Sequence, residues 1–251
     1  MDSKLDTGKR ILDIKYGDIN GDGKLEKVVL TGEEFYPHSV DVKDLQLVIY
    51  ESDNIVVTQP VPGAAGSDFE LILKKFTRLN REQIMIIGKI PTPPYDYLVA
   101  LIYWYEKRHI LEIFNGAKFA VDNACTAMYL DNYLVEVLCP TNNIKHLLSI
   151  KKLQKELEGK VYDGKGKVIT LEQPRISFIK EIYPVKLRYD DYYSLLAYQE
   201  IEESTFGFNL GYLIRRFSVD GLGKITGSAH MVAQQGKAIK TPFDTDKVLM
   251  H

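Results

Sequence analysis

The chain has 251 residues, of which 45% are apolar and 26% charged, with a net charge of −2. That is enough to bury a core as one large or two small domains, and it excludes a disordered, collagenous or membrane-embedded bulk. Lys and Arg total 32 against 34 Asp and Glu, so no basic excess points to nucleic acid.

The first residues, MDSKLDTGKR, carry no apolar h-region, so no signal peptide is visible. The longest apolar-rich run, Tyr95 to Tyr105, is shorter than the ~20 residues of a membrane span and fits a buried strand. The composition leans to β structure, with 16 Tyr and 10 Phe for half-buried pleated surfaces and 18 Gly and 10 Pro for turns.

In chain order, strands are expected at 11–16 and 27–31, around the loop GDINGDG. A hairpin follows at 45–51 and 55–59, turning at SDN, then a loop QPVPGAAG and strands at 69–76 and 83–88. Pro91-Thr-Pro-Pro94 reads as a rigid loop that cannot be central strand. Further hairpins are expected at 98–105 with 109–114 and at 125–130 with 133–139, then strands at 144–150, 176–186, 192–199, 210–218 and 224–233. Ile150, Leu153 and Leu157 have helical spacing and Gly159 can end the turn, so one short surface helix is expected near 151–158. Many short strands at regular spacing predict an all-β fold, a propeller of repeated units or a β-sandwich. Residues 10–240 are expected to form a single domain, with 1–9 and 241–251 as poorly ordered tails.

Two cysteines, Cys125 and Cys139, lie outside any CxxC or Cys/His cluster, which argues against structural zinc. A hairpin turning at 130–133 sets them nearly opposite each other. A bridge there has a demanding geometry, so the expectation is two buried thiols.

One motif carries chemistry. In Asp18-Ile-Asn-Gly-Asp-Gly-Lys-Leu-Glu26, Asp18, Asn20 and Asp22 place side-chain oxygens at positions 1, 3 and 5. Gly21 and Gly23 permit the turn, Lys24 offers its carbonyl at position 7, and Glu26 stands at position 9. Calcium takes about 6–8 hard oxygen ligands, and this spacing wraps them round one ion. Position 12 is Val29, where an EF-hand needs a bidentate Glu, and the flanks alternate as strands. The expectation is a calcium loop of modest affinity joining two strands, against the alternative of a bare Asp/Gly turn.

ILDIKYGDINGDGKLEKVVLTG resembles the FG-GAP or VCBS-type calcium repeat of β-propellers such as the integrin head. The chain resembles, over most of residues 10–235, VCBS repeat-containing proteins of spore-forming Gram-positive bacteria, some labelled spore coat proteins. The resemblance implies a calcium-binding propeller and an extracytoplasmic or spore-associated setting. Residues 75–88 lie over the motif at an offset of 57, with Lys75, Thr77 and Leu79 in place of Asp18, Asn20 and Asp22. Residues 183–199 lie over it at an offset of 168, with Lys186 and Arg188 replacing the first two ligands and Asp190 surviving. A unit of about 56 residues follows, four in all, with the third unrecognisable near residue 131. A four-stranded blade takes ~40–45 residues, so four or five blades are possible.

Enzyme signatures are missing. No GxSxG, HExxH, GxxxxGK[ST] or GxGxxG occurs, and His38, His109, His146, His230 and His251 are scattered. The acidic doublets Glu33-Glu34, Asp190-Asp191 and Glu202-Glu203 are neighbours that point to opposite faces of a strand. The expected role is therefore a non-enzymatic calcium-binding structural or interaction module with a protein or glycan partner. The first alternative is a carbohydrate-binding module, suggested by Tyr95, Tyr97, Tyr103, Trp104 and Tyr105 and by Tyr189, Tyr192, Tyr193 and Tyr198. Of these, the segment Arg188–Tyr193 is the best surface candidate. The second alternative is a hydrolase with carboxylates converging from several blade tips.

Overall fold

Alternation of apolar and polar residues builds fifteen strands, arranged in a computed structural model that describes residues 8–92, 95–140 and 144–234. Sheet I is the meander β1 (Arg10–Gly17), β2 (Glu26–Glu34), β3 (Val42–Glu51) and β4 (Asn54–Pro60). Sheet II repeats it with β5 (Ser67–Lys74), β6 (Gln83–Thr92), β7 (Tyr95–Glu106) and β8 (His109–Asn115). Sheet III has three strands, β9 (Thr126–Leu130), β10 (Leu134–Cys139) and β11 (Ile144–Ser149). Sheet IV is again a four-stranded meander, β12 (Arg175–Val185), β13 (Ser194–Glu202), β14 (Asn209–Val219) and β15 (Ile225–Ala233). All strand pairs within the four sheets are antiparallel, and the fold is all-β and propeller-like in its four face-packed sheets.

The meanders are copies in geometry. β1 and β2 map onto β5 and β6 at an offset of 57, and the intervening loops, 18–25 and 75–82, have equal length. At an offset of 168, β1 ends with β12 and β2 begins with β13, around loop 186–193. In sheet III the corresponding turn shrinks to Asp131-Asn-Tyr133, which is why no third copy of the loop is legible. The hairpins at Ser52-Asp53 and Lys107-Arg108 use two residues in the left-handed region without glycine, φ 47° and 68°, then 48° and 63°.

Cores form between sheet faces. Val28, Leu30, Leu47 and Ile49 of sheet I pack on Ile84, Ile86, Leu101 and Tyr103 of sheet II. The alternate residues of sheet II, Met85, Ala100 and Ile102, face Leu195, Ala197, Phe217 and Val219 of sheet IV. Farther along the same face of sheet IV, Ile201 and Leu213 pack on Val135, Val137 and Tyr129 of sheet III. The packing order is thus I–II–IV–III rather than the chain order. Where the two halves of that face meet, Arg215 is only 1% exposed. It donates to the Asn123 carbonyl (2.9 Å) and to Gln199 Oε1 (3.3 Å), and its guanidinium lies 4.4 Å from the Phe119 ring centroid. Burial lowers its pKa to about 10.

Several expectations need correction. Cys125 and Cys139 are not free thiols but form a disulfide, Cα–Cα 4.4 Å, because the β9–β10 register sets them directly opposite. β6 runs through Pro91 to Thr92, at the far end of the β6–β7 ladder; Pro93 and Pro94 lie outside the described residues. The helix near 151–158 is present as a 3₁₀ turn, Lys151–Leu153, and a single α-turn, α2 (Gln154–Leu157). A further helix, α1 (Gly116–Asp122), follows β8 directly, capped by the Asn115 side chain on the Lys118 amide. The expected tails at 1–9 and 241–251 lie outside the described residues except for Gly8 and Lys9.

Candidate functional site

The loop joining β1 to β2 holds four of the five expected ligand residues, Asp18, Asn20, Asp22 and Lys24, and the fifth, Glu26, opens β2. Asp18 caps it, its Oδ1 accepting from the Gly21 amide (2.7 Å) and its Oδ2 from the Gly23 amide (3.1 Å). Asn20 Oδ1 accepts from the Asp22 amide and Asp22 Oδ1 from the Lys24 amide, each at 2.8 Å. Gly21 and Gly23 both have φ 85°, the left-handed turn that lets three side-chain oxygens follow one another.

Glu26, the first residue of β2, is only 3% exposed. Its Oε2 accepts from the Ile19 (3.0 Å) and Asn20 (3.3 Å) amides, and its Oε1 from Asn20 Nδ2 (2.9 Å). Burial pushes its carboxyl above the usual range; the Ile19 and Asn20 amides pull it down, and Asp22 and Asp18 push it up again. Among the described residues no cation forms an ion pair with Asp18, Asp22 or Glu26. Nor do three His, Cys, Asp or Glu side chains converge there closely enough to hold a metal. The carboxylates instead lie on the loop's own amides.

The second loop makes an internal control. Gln83 occupies the place of Glu26, and its Oε1 accepts from the Phe76 (2.7 Å) and Thr77 (3.0 Å) amides. Phe76 is buried as Ile19 is, and Thr77 Oγ1 accepts from the Leu79 amide as Asn20 accepts from Asp22. Gln83 Nε2 then donates to the Arg81 carbonyl (2.8 Å), the position matching Lys24. Lys75, in the place of Asp18, bonds Asn80 (2.7 Å). After loop 186–193, Ser194 at the start of β13 takes the place of Glu26 and bonds the Ser218 hydroxyl instead (2.9 Å).

The three loops lie side by side. The Glu82 amide donates to the Asp18 carbonyl (2.9 Å), and the Tyr193 amide to the Lys75 carbonyl (2.6 Å). The Glu82 carboxylate reaches back to the Asp18 amide, and its Oε2 leaves no room for a Cβ at Gly17. Burial, with Asp18 adding to it, raises the Glu82 carboxyl as well. The motif alone gave no sign of Glu82, because its proximity arises between two sheets.

The tyrosine clusters divide by face. Tyr103 and Tyr105 are core, with Tyr105 Oη donating to Glu51 (2.7 Å), whereas Tyr97 is 37% and Tyr189 89% exposed. Trp104, Tyr192, Tyr193 and Tyr198 are half-buried, and the side chain of Tyr95 lies outside the described residues. Of the acidic doublets, Glu202 pairs with Arg175 (3.2 Å), while Glu203 caps its own turn by accepting from the Thr205 amide (2.9 Å).

With this geometry established, comparison with known proteins corrects the repeat-family resemblance. A family model described as the YybI C-terminal domain matches residues 123–232, covering sheets III and IV. The chain is 25% identical over 201 residues to "Uncharacterized protein YybI" of Bacillus subtilis (strain 168), covering 78% of this chain and 75% of that protein. No solved structure matches it. The likeness is therefore to YybI and not to FG-GAP or VCBS proteins. A short Asp/Gly loop between strands recurs for its turn geometry alone and does not identify a family.

Proposed function

We propose that loop 18–26 is a structural calcium site in a non-enzymatic interaction module. The observation that carries this reading is the contrast between Glu26 and Gln83. Both cap the same pair of amides from the same position, so a neutral amide suffices for folding the loop. The first loop keeps a buried carboxylate there and adds Asp18 and Asp22, a cost that a bound cation offsets. Gln83 also has a hydrogen for the Arg81 carbonyl; Glu26 has none for the carbonyl of Lys24, which a cation would satisfy.

The donors are all hard oxygens, which suits calcium. Asp18, Asn20, Asp22, the Lys24 carbonyl and Glu26 would hold it, after some of their bonds to loop amides are exchanged. A bound ion would stiffen loop 18–25 against loop 75–82 through the Glu82–Asp18 contact. The disulfide favours an oxidising, extracytoplasmic compartment. No helix among the described residues is long and apolar enough to cross a membrane.

Calorimetric titration with calcium tests the reading. The expected result is one site per chain, lost in Asp22→Asn, which keeps the Lys24 amide bond but removes a charge. No heat above dilution at millimolar calcium would overturn it.

A further inference from the structure

We propose that the cavity between loops 75–82 and 186–193 binds a ring of a saccharide. The two aromatic clusters of the sequence meet there. Trp104 from β7 and Tyr192 from loop 186–193 line a cavity of about 480 Å³, with Leu79 and the turn after β14 closing it. That volume falls in the ~300–1,000 Å³ range of small-molecule sites. The inference stands apart from the calcium loop, which lines none of the cavity.

A sugar ring has C–H faces that pack on aromatic walls and an edge of hydroxyls that need donors and acceptors. The cavity supplies both. Arg78 leans over the Tyr192 ring, its Cζ 5.9 Å from the centroid, and makes no ion pair among the described residues. Asp220 uses Oδ1 to accept from the Leu222 and Lys224 amides, each at 2.9 Å, leaving Oδ2 without a hydrogen bond among the described residues. A guanidinium and a carboxylate lining the same cavity are groups that sugar hydroxyls engage. Thr226 adds a hydroxyl. Arg81, stacked at 4.6 Å on Trp104 and paired with Glu106, fixes the indole in place. One opposite-charge pair favours a neutral saccharide over a polyanion.

Trp104 is the single tryptophan of the chain, so its fluorescence reports the cavity directly. The full-length protein is titrated with cellotetraose, chitotetraose and tetragalacturonate. The expected result is a saturable change with at least one neutral tetrasaccharide, weakened about tenfold by Tyr192→Ala and by Arg78→Gln. Tyr36→Ala, at an exposed site on sheet I's loop outside the cavity, should leave the affinity unchanged, and thermal unfolding of each variant checks that it is folded. No saturable change with any probe would overturn the proposal. So would a change that folded Tyr192→Ala and Arg78→Gln leave intact, or one confined to tetragalacturonate.

Discussion

Glu26 is where a single charge separates two loops of the same shape. Its mate Gln83 caps the same amides without a charge, so Glu26→Gln should cost less than ~1 kcal/mol in chelator, and relief of buried charge can make it stabilising. Asp18 is different. It accepts from two amides, so Asp18→Ala should lower the melting temperature with or without calcium, whereas the motif read alone predicts a loss in calcium only. Asp18→Asn keeps an acceptor and is the cleaner test of charge. A second residue effect concerns His230, which pairs across the ladder with Arg215. Burial first, then Arg215 and His146, lower its pKa to about 4. Its unfolded value is about 6.5, so below that the unfolded chain binds the extra proton. This contribution is present above pH 6.5 and is lost as the pH falls toward 4. Unfolding midpoints measured across that window should fall less steeply in His230→Gln.

Among the elements, the β9–β10 hairpin is held covalently. The bridge spans 14 positions, and closing a loop of that size stabilises by ~3 kcal/mol in the chain-entropy account. Cys125→Ala/Cys139→Ala should lose about that much by denaturant unfolding, and added reductant should change the variant no further. The strands themselves were legible because alternation fixes both element and face, as in β13, where Leu195, Ala197 and Ile201 point inward. Helix α1 was not: seven residues directly after a strand offer less than two helical turns of pattern. The disulfide was half legible, since the hairpin set the pair opposite but the sequence held no information on Cβ direction.

At the scale of the molecule, the order I–II–IV–III could not be read from the chain, because it depends on which sheet faces meet. Arg215 shows why. In LIRRFSV it occupies an inward position, and only the packed structure supplies Phe119, Gln199 and the Asn123 carbonyl around it. Loop 18–26 was legible as a pattern of oxygen donors; its tie to Glu82 and the aromatic cavity beside Tyr192 arise between sheets. The packing also predicts that the segment matched by the YybI model is not self-sufficient. Without sheet II, the fragment 123–232 exposes Ile179, Leu195, Ala197, Phe217 and Val219. It should therefore bind a hydrophobic dye or aggregate, whereas the full chain should do neither. A monomeric, dye-silent fragment would mean that sheets III and IV form a unit of their own.

The most direct test of the calcium account is thermal unfolding of the wild type and Glu26→Gln, each in millimolar calcium and in excess chelator. An ion that binds the folded state stabilises by about 2.7 kcal/mol at 100 times its Kd. The wild type should gain from calcium and not from magnesium, while Glu26→Gln should match or exceed the wild type in chelator and gain little from calcium. Equal midpoints for the wild type in calcium and chelator, with Glu26→Gln strongly destabilised in both, would contradict the account and leave Glu26 as a loop cap alone.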